Sequence, residues 1–177
     1  KADVASLDEA SPEELHGAAL QHYRIGTSRP AKQAEVFIYT PDFDRHGWHS
    51  PHTVVDIVTD DMPYLVDSIT MAVNKHNLTI HRLMHPLIGI ERDTAGALTR
   101  SAALGSKGTK TESWIHLEID RISDERQVED FRAEIVAIIG DIRSAFDDRV
   151  AMLEGVSNAI TDLEVSPNAE NKEISEF

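Results

Sequence analysis

The chain has 177 residues and no cysteine, which excludes disulfides, thiolate catalysis and zinc sites built from cysteines. Its formal net charge of -14 predicts repulsion from phosphate, so nucleic acids and anionic membranes are not expected partners. The chain is 41% hydrophobic but has no apolar run of transmembrane length, and no signal-like segment opens it. We therefore expect a cytoplasmic protein with one domain-sized core.

The first predicted element is a helix that begins at Ser11. Pro12 suits its first turn, Glu14 completes a capping box with Ser11, and Gly26 can end it. We assign residues 1–33 to this helix and a linker. A short strand over 36–40 and a polar loop over 41–51 follow.

The most informative stretch covers residues 53–76. Its first half is dense in β-branched residues and predicts a buried strand. Its second half has the apolar spacing of one helix face, and we expect Asp60 or Asp61 to cap that helix and Pro63 to lie in its first turn. Asn77 is expected to end the helix in a left-handed conformation. The stretch predicts a strand, a turn and a helix.

The second half of the chain predicts two strands and long helices. An extended segment over 78–91 contains Pro86, which favours an edge position or a bulge. Residues 92–112 are rich in glycine and small polar residues and predict a mobile hairpin loop. Residues 113–121 alternate clearly as a strand, and a long helix is expected to start at 124–127. A continuing helix over 149–163 carries an apolar stripe expected to be buried: Val150, Leu153, Val156, Ile160 and Leu163.

These elements predict an α+β fold, a ferredoxin-like sandwich. A four-stranded, mainly antiparallel sheet with two long helices on one face would bury both apolar stripes, and further helices would flank it. We assign residues 34–147 to this domain. Residues 148–177 are expected to form a C-terminal helix and an acidic tail that leads to the next domain.

Three separated motifs carry a resemblance to a known family. They are TVVDIVTDDMPYLVDS at 53–68, IHRLMHP at 80–86 and ESWIHLEIDR at 112–121. Together they resemble the amino-terminal region of the large bacterial NAD-specific glutamate dehydrogenases, in order and with matching gaps over residues 11–163. The resemblance implies an ACT-type domain in a chain several times longer, with the dehydrogenase domain downstream.

The same resemblance implies a function for the parent enzyme. That enzyme would convert glutamate to 2-oxoglutarate and ammonia with NAD, whereas this fragment is expected to bind no cofactor and to catalyse nothing. The resemblance favours a regulatory or assembly role, with contacts to other domains of the same chain and within a homo-oligomer.

Two features depart from the ACT pattern. No strand follows the last helices, and we expect the strand at 36–40 to fill that edge of the sheet. Amino-acid-binding ACT domains usually carry a glycine at the first strand-to-helix turn, where Tyr64 stands here. A bulky residue there favours assembly over ligand binding. The alternative is an allosteric sensor that binds a free amino acid at the turn, through Asp60, Asp61, Met62 and Tyr64.

Catalytic and metal-binding interpretations are weaker than their structural alternatives. Helix capping by Asp60 or Asp61 is favoured over a role for the two as a general acid and base pair. Ser68 has no base near it in the sequence, so nucleophilic catalysis is not supported. The glycines match neither the G-x-G-x-x-G spacing nor the Walker spacing of nucleotide-binding loops. We predict no metal site at the loop and sheet histidines, because nothing in the sequence fixes a ligand geometry for them: His46, His49, His52, His81 and His85.

Trp114, His116 and Glu118 share the face of their strand that lies opposite the apolar one. An aromatic residue on an open sheet face is often an interface anchor, so these three are interface candidates. The equal alternative is that another segment, such as the first helix, covers this face within the chain.

Overall fold

The computed structural model describes residues 11–165, so residues 1–10 and the predicted acidic tail beyond 165 lie outside the description. Its elements in chain order are α1 Pro12–Gly26, β1 Glu35–Tyr39, α2 Phe43–His46, β2 Thr53–Asp60, α3 Leu65–Lys75, β3 Ile80–Met84, β4 Leu87–Arg92, β5 Leu98–Ala102, β6 Lys110–Ile119 and α4 Glu125–Val165. Among these described helices, none is both long enough and apolar enough to span a membrane.

All strand pairings in the sheet are antiparallel. The order is β1-β2-β6-β4-β5, with β3 pairing β6 beside β4. Strands β3 and β4 share one edge of β6, and the break between them falls at Pro86, which has no amide to donate. The Pro86 carbonyl accepts a bond from the Trp114 amide at 3.1 Å. The register against β6 is the same on both sides of Pro86, with Met84 opposite His116 and Leu87 opposite Ser113, so Pro86 interrupts the strand without a bulge.

Strand β1 occupies the sheet edge beside β2, as expected. Its residues pair in register with β2, for example Ile38 with Val55. The sheet has six strands, rather than the predicted four, for two reasons. The extended segment splits at Pro86, and β5 forms inside the segment predicted as a loop. Most β5 residues are exposed, so the alternation that would have revealed this strand is absent.

Helices α3 and α4 pack on one face of the sheet. The apolar side chains of β6 at Ile115, Leu117 and Ile119 point into this core, as their alternation predicted. Helix α4 contributes fully buried side chains at one-turn spacing: Phe131, Ile135 and Ile139. The predicted α+β ferredoxin-like sandwich is confirmed.

Helix α1 lies on the opposite face of the sheet. Its Ser11 capping box is present, as predicted. Two glycines allow a close approach: a Cβ at Gly17 would lie 2.4 Å from the Trp48 Cβ, and one at Gly26 would lie 2.1 Å from the Trp114 ring. Both tryptophans are buried as a result.

The C-terminal helical region continues through 149–163 as predicted, as one helix of 41 residues, but its burial differs from the prediction. The expected burial of Leu153, Val156 and Ile160 is wrong, because all three are exposed. The helix is about 60 Å long, while the ten-residue strand β6 spans about 33 Å, so α4 extends past the sheet. The side chains of Val150 and Leu163 lie outside the described part.

Candidate functional site

The site is built where the end of β2 meets the start of β6. Asp60 and Glu112 are direct partners across this antiparallel pair, so two carboxylates stand side by side. Arg29, from the linker after α1, lies between them. Its Nη2 donates to Asp60 Oδ1 at 2.6 Å and to Glu112 Oε1 at 2.7 Å, and its side chain is buried. These two bonds connect the linker after α1 to strands β2 and β6.

Two further arginines complete the network. Arg92 of β4 donates from Nε to Glu112 Oε1 at 2.7 Å and from Nη2 to Glu112 Oε2 at 2.8 Å. Arg143 of α4 donates to Asp60 Oδ2 at 2.7 Å. Five segments of the chain therefore meet at two carboxylates.

The arginines keep both carboxylates ionised. Burial by itself raises the pKa of Asp60 and of Glu112, but the bonds and charges of the arginines outweigh it and lower both. Burial alone would lower the pKa of Arg29, and the two carboxylates raise it instead. At neutral pH the network consists of full charges held in a partly buried place.

A cleft of about 430 Å³ opens beside this network. Its wall carries both signs of charge, and the structure brings three predicted ligand-binding residues to it: Asp60, Asp61 and Met62. Asp61 Oδ1 accepts a bond from the Ser113 hydroxyl at 2.8 Å. The Met62 side chain is buried in the core. Arg29 Nε is buried and has no hydrogen-bond partner among the described residues.

Tyr64 lies apart from this cleft. It adopts the left-handed conformation with φ 68°, the backbone shape that glycine favours, which fits its expected place at the turn. Its side chain, however, is 72% exposed and does not line the cleft. The Tyr64 side chain therefore does not block the cleft.

The predicted aspartate cap of helix α3 is wrong. The helix begins at Leu65, its N-cap residue is Tyr64, and no side chain caps it. Asp60 is four residues too early and is engaged by arginines, while Asp61 bonds Ser113. Pro63 likewise precedes the helix. Asn77 has φ 56°, so its predicted left-handed conformation is confirmed.

The sequence reasoning missed the arginines and Glu112. Glu112 could have been found, because pairing β2 with β6 in register places it opposite Asp60. Arg29, Arg92 and Arg143 come from distant segments, and no local pattern relates them.

Helix α1 covers Trp114 and His116, while Ser50 and His52 of the loop before β2 contact Glu118, so all three side chains are buried within the chain. The structure therefore supports the alternative that other segments of the same chain cover this face. These three side chains are not available as interface anchors. Burial alone would lower the pKa of His116, but the hydrogen bond to Asp56 and the nearby carboxylate of Glu118 raise it to about 9. Burial alone would raise the pKa of Glu118, but His116, Arg82 and Ser50 lower it to about 2.

The loop and sheet histidines have local partners. His52 stacks on His81 with ring centroids 4.0 Å apart, and His81 Nε2 lies 2.7 Å from Asp120 Oδ1. His85 Nε2 lies 3.0 Å from the Ser113 hydroxyl. His46 Nδ1 accepts from the Asp42 amide at 3.1 Å, and the His49 ring stacks on Phe43.

The antiparallel sheet, the two helices on one face and the charged cleft at the strand-to-helix turn define an ACT-like α+β domain. Residues 1–135 match the family described as glutamate dehydrogenase, ACT1 domain, and the chain belongs to that family.

Two relatives share the name NAD-specific glutamate dehydrogenase. The protein from Pseudomonas aeruginosa PAO1 is 33% identical over 150 residues, which cover 82% of this chain and 9% of the relative. The protein from Halomonas elongata is 30% identical over 169 residues, covering 94% of this chain and 10% of the relative. The chain spans about a tenth of the length of these curated relatives.

Proposed function

We propose that this domain is a non-catalytic regulatory and assembly unit of a large cytoplasmic NAD-dependent glutamate dehydrogenase. The parent enzyme would convert glutamate to 2-oxoglutarate and ammonia with NAD, which binds elsewhere in the long chain. The domain would pack against other domains of that chain and within a homo-oligomer. The exposed apolar stripe of helix α4 is the observation that carries this proposal.

The stripe has the spacing of a helix-packing surface. Leu153, Val156 and Ile160 follow one another at intervals of three and four residues, which is the spacing of a coiled-coil seam. Leu153 is 59% exposed and Val156 is 57% exposed, and Met152 beside them is also exposed. An exposed row of apolar side chains at this spacing supports an interaction site on this part of the helix. The relatives are about ten times longer than this chain, so further domains of the parent are available to cover it.

The charged network supports a structural rather than a catalytic role. A general acid or base works best with a pKa near the operating pH. The pKa values of Asp60 and Glu112 are lowered, away from neutrality, and both carboxylates are bonded to arginine.

Surface variants of the parent enzyme test the assembly role. Leu153→Glu combined with Val156→Glu places two charges on the stripe, whereas Asn158→Asp places one on the other side of the same helix as a control. We expect the double variant to weaken assembly or change activity of the full-length enzyme, measured by light scattering and turnover. An unchanged full-length double variant would contradict the proposal.

The cleft favours a second candidate, an amino-acid sensor. An amino acid carries one positive and one negative group, and the cleft wall offers both arginine and aspartate side chains. The unpartnered Arg29 Nε is a donor that a ligand carboxylate could satisfy. A thermal-unfolding screen against free amino acids and 2-oxoglutarate distinguishes the candidates. A ligand at a hundred times its dissociation constant adds about 2.7 kcal/mol. A shift lost in Asp61→Asn supports the sensor, and a flat screen excludes it.

A further inference from the structure

A second group of buried polar side chains lies between helix α1 and the sheet. It consists of His22 from α1, Asp56 from β2 and His116 from β6, and we name it the His–Asp–His cluster. Asp56 and His116 are direct partners on adjacent strands, and α1 brings His22 over them. All three residues are more than nine-tenths buried. A buried carboxylate and two buried imidazoles must form hydrogen bonds or charge pairs with one another, because burying an unpaired polar group costs free energy.

One possible ligand atom of each side chain lies close to those of the other two. His116 Nδ1 lies 2.6 Å from Asp56 Oδ1, and His22 Nδ1 lies 3.6 Å from the same oxygen. The three atoms all lie within 4.8 Å of one another. Two imidazole nitrogens and a carboxylate oxygen form a donor set that zinc-like cations accept.

The outer contact of His22 leaves its Nδ1 free to bind a cation. His22 Nε2 lies 3.2 Å from the Ile57 carbonyl oxygen, which only accepts, so Nε2 carries the proton. A backbone carbonyl on the far nitrogen is a common support for a metal-bound histidine.

His116 and Asp56 also face polar groups through the atoms that would not bind the cation. His116 Nε2 is buried without a hydrogen-bond partner in the described part of the chain, and Glu118 Oε1 lies 3.7 Å away. A ring proton on Nε2 would face this carboxylate. The Tyr39 hydroxyl donates to Asp56 Oδ2 at 3.1 Å, so the hydrogen bond from His116 is the contact on Oδ1 that a cation would replace. Glu118 is itself held by Ser50 and Arg82.

We propose that His22 Nδ1, His116 Nδ1 and Asp56 Oδ1 bind one divalent cation of the zinc class, with water as the fourth ligand. The cation replaces the proton between His116 and Asp56, and that proton leaves to solvent. Tetrahedral bonds of 2.0–2.1 Å place ligand atoms about 3.3 Å apart. The His22 distance is already close to this value, and the His116 pair opens as the proton leaves. The bound ion would tie α1 to the sheet.

The first test titrates the metal-free 177-residue chain with ZnCl₂ by calorimetry and with CoCl₂ by visible absorption. We expect one ion per chain, a higher melting temperature, and Co²⁺ bands of four-coordinate intensity. Failure of either ion to bind at up to about 100 μM would overturn the proposal, since structural zinc sites bind far more tightly. A six-coordinate Co²⁺ spectrum would overturn it as well.

Matched variants locate the ion. His22→Gln keeps an amide donor for the Ile57 carbonyl but removes Nδ1, and His116→Asn keeps a donor for Asp56. Each should weaken Zn²⁺ binding by about 100-fold or more, beyond the 10–100-fold typical of losing an outer partner. The control His49→Gln changes an exposed loop histidine and should bind like the wild type. Equal affinity of His22→Gln and His49→Gln would assign binding to surface histidines and overturn the proposal. If His22→Gln does not fold, His116→Asn and the wild-type Co²⁺ spectrum decide.

Discussion

Asp60 and Glu112 face each other across strands β2 and β6 and share one nitrogen of Arg29, at 2.6 and 2.7 Å. At this end of the β2–β6 pairing, the facing side chains are charged rather than apolar. Arg29 is bonded to both carboxylates, whereas Arg92 is bonded to Glu112 and Arg143 to Asp60. Arg29 therefore offsets the repulsion between the two carboxylates at the place where they are closest.

Replacing Arg29 should destabilise the domain. Arg29→Met removes the partner that both carboxylates share, while Arg92 and Arg143 stay bonded to them, so we expect a loss of about 1.5–3 kcal/mol, the range for hydrogen bonds to charged groups. Urea unfolding at neutral pH measures the loss. Lys32→Met is the matched control, because Lys32 forms an exposed ion pair with Asp147, worth about 0–1 kcal/mol. Equal effects of the two variants would show that Arg29 is not a structural centre.

Acid should weaken the domain through the same carboxylates. Their pKa values are lowered from the ordinary 3.8 and 4.5, so their contribution is fully present above those values. As the pH falls through the lowered folded values, the unfolded state binds more protons and the contribution is lost. Melting temperature should therefore fall below about pH 4.5. Glu112→Gln should start less stable and fall less steeply, and a slope equal to the wild type would contradict this assignment.

Gly26→Ala tests the contact between α1 and the sheet. The new Cβ would lie 2.1 Å from the Trp114 ring, and overpacking of this kind costs about 1–3 kcal/mol. Tryptophan fluorescence and thermal unfolding report the displaced helix. Gly140→Ala is the control, because a Cβ there meets nothing within 4 Å. It should raise stability by up to about 1 kcal/mol through helix propensity. A neutral Gly26→Ala would mean that α1 moves away without cost.

The Tyr64 turn should respond to backbone shape rather than side-chain size. Tyr64→Gly suits φ 68° and removes only an exposed ring, so stability should change by less than about 1 kcal/mol. Tyr64→Val should lose about 1–2 kcal/mol, because a β-branched residue resists this conformation. Chemical denaturation compares the two. A larger loss in the glycine variant would reveal a packing role for the ring.

Local patterns in the sequence determined most of the elements and the fold class. The Ser11 capping box, the β-branched run of β2 and the alternation of β6 each lie within a few residues, and the structure follows them. The helical period of Phe131, Ile135 and Ile139 likewise placed one face of α4 in the core. Period and propensity are local properties, so a single sequence reveals them.

The tertiary structure alone decided what each face meets. An apolar stripe shows that a helix has a face to bury, but it does not show that α4 runs past the sheet and leaves Leu153 exposed. The alternation of β6 did not show that α1 covers Trp114, nor that Arg29 reaches Asp60 and Glu112. These contacts join segments 31 to 88 residues apart, and only the packed chain brings such segments together because no local pattern encodes their meeting.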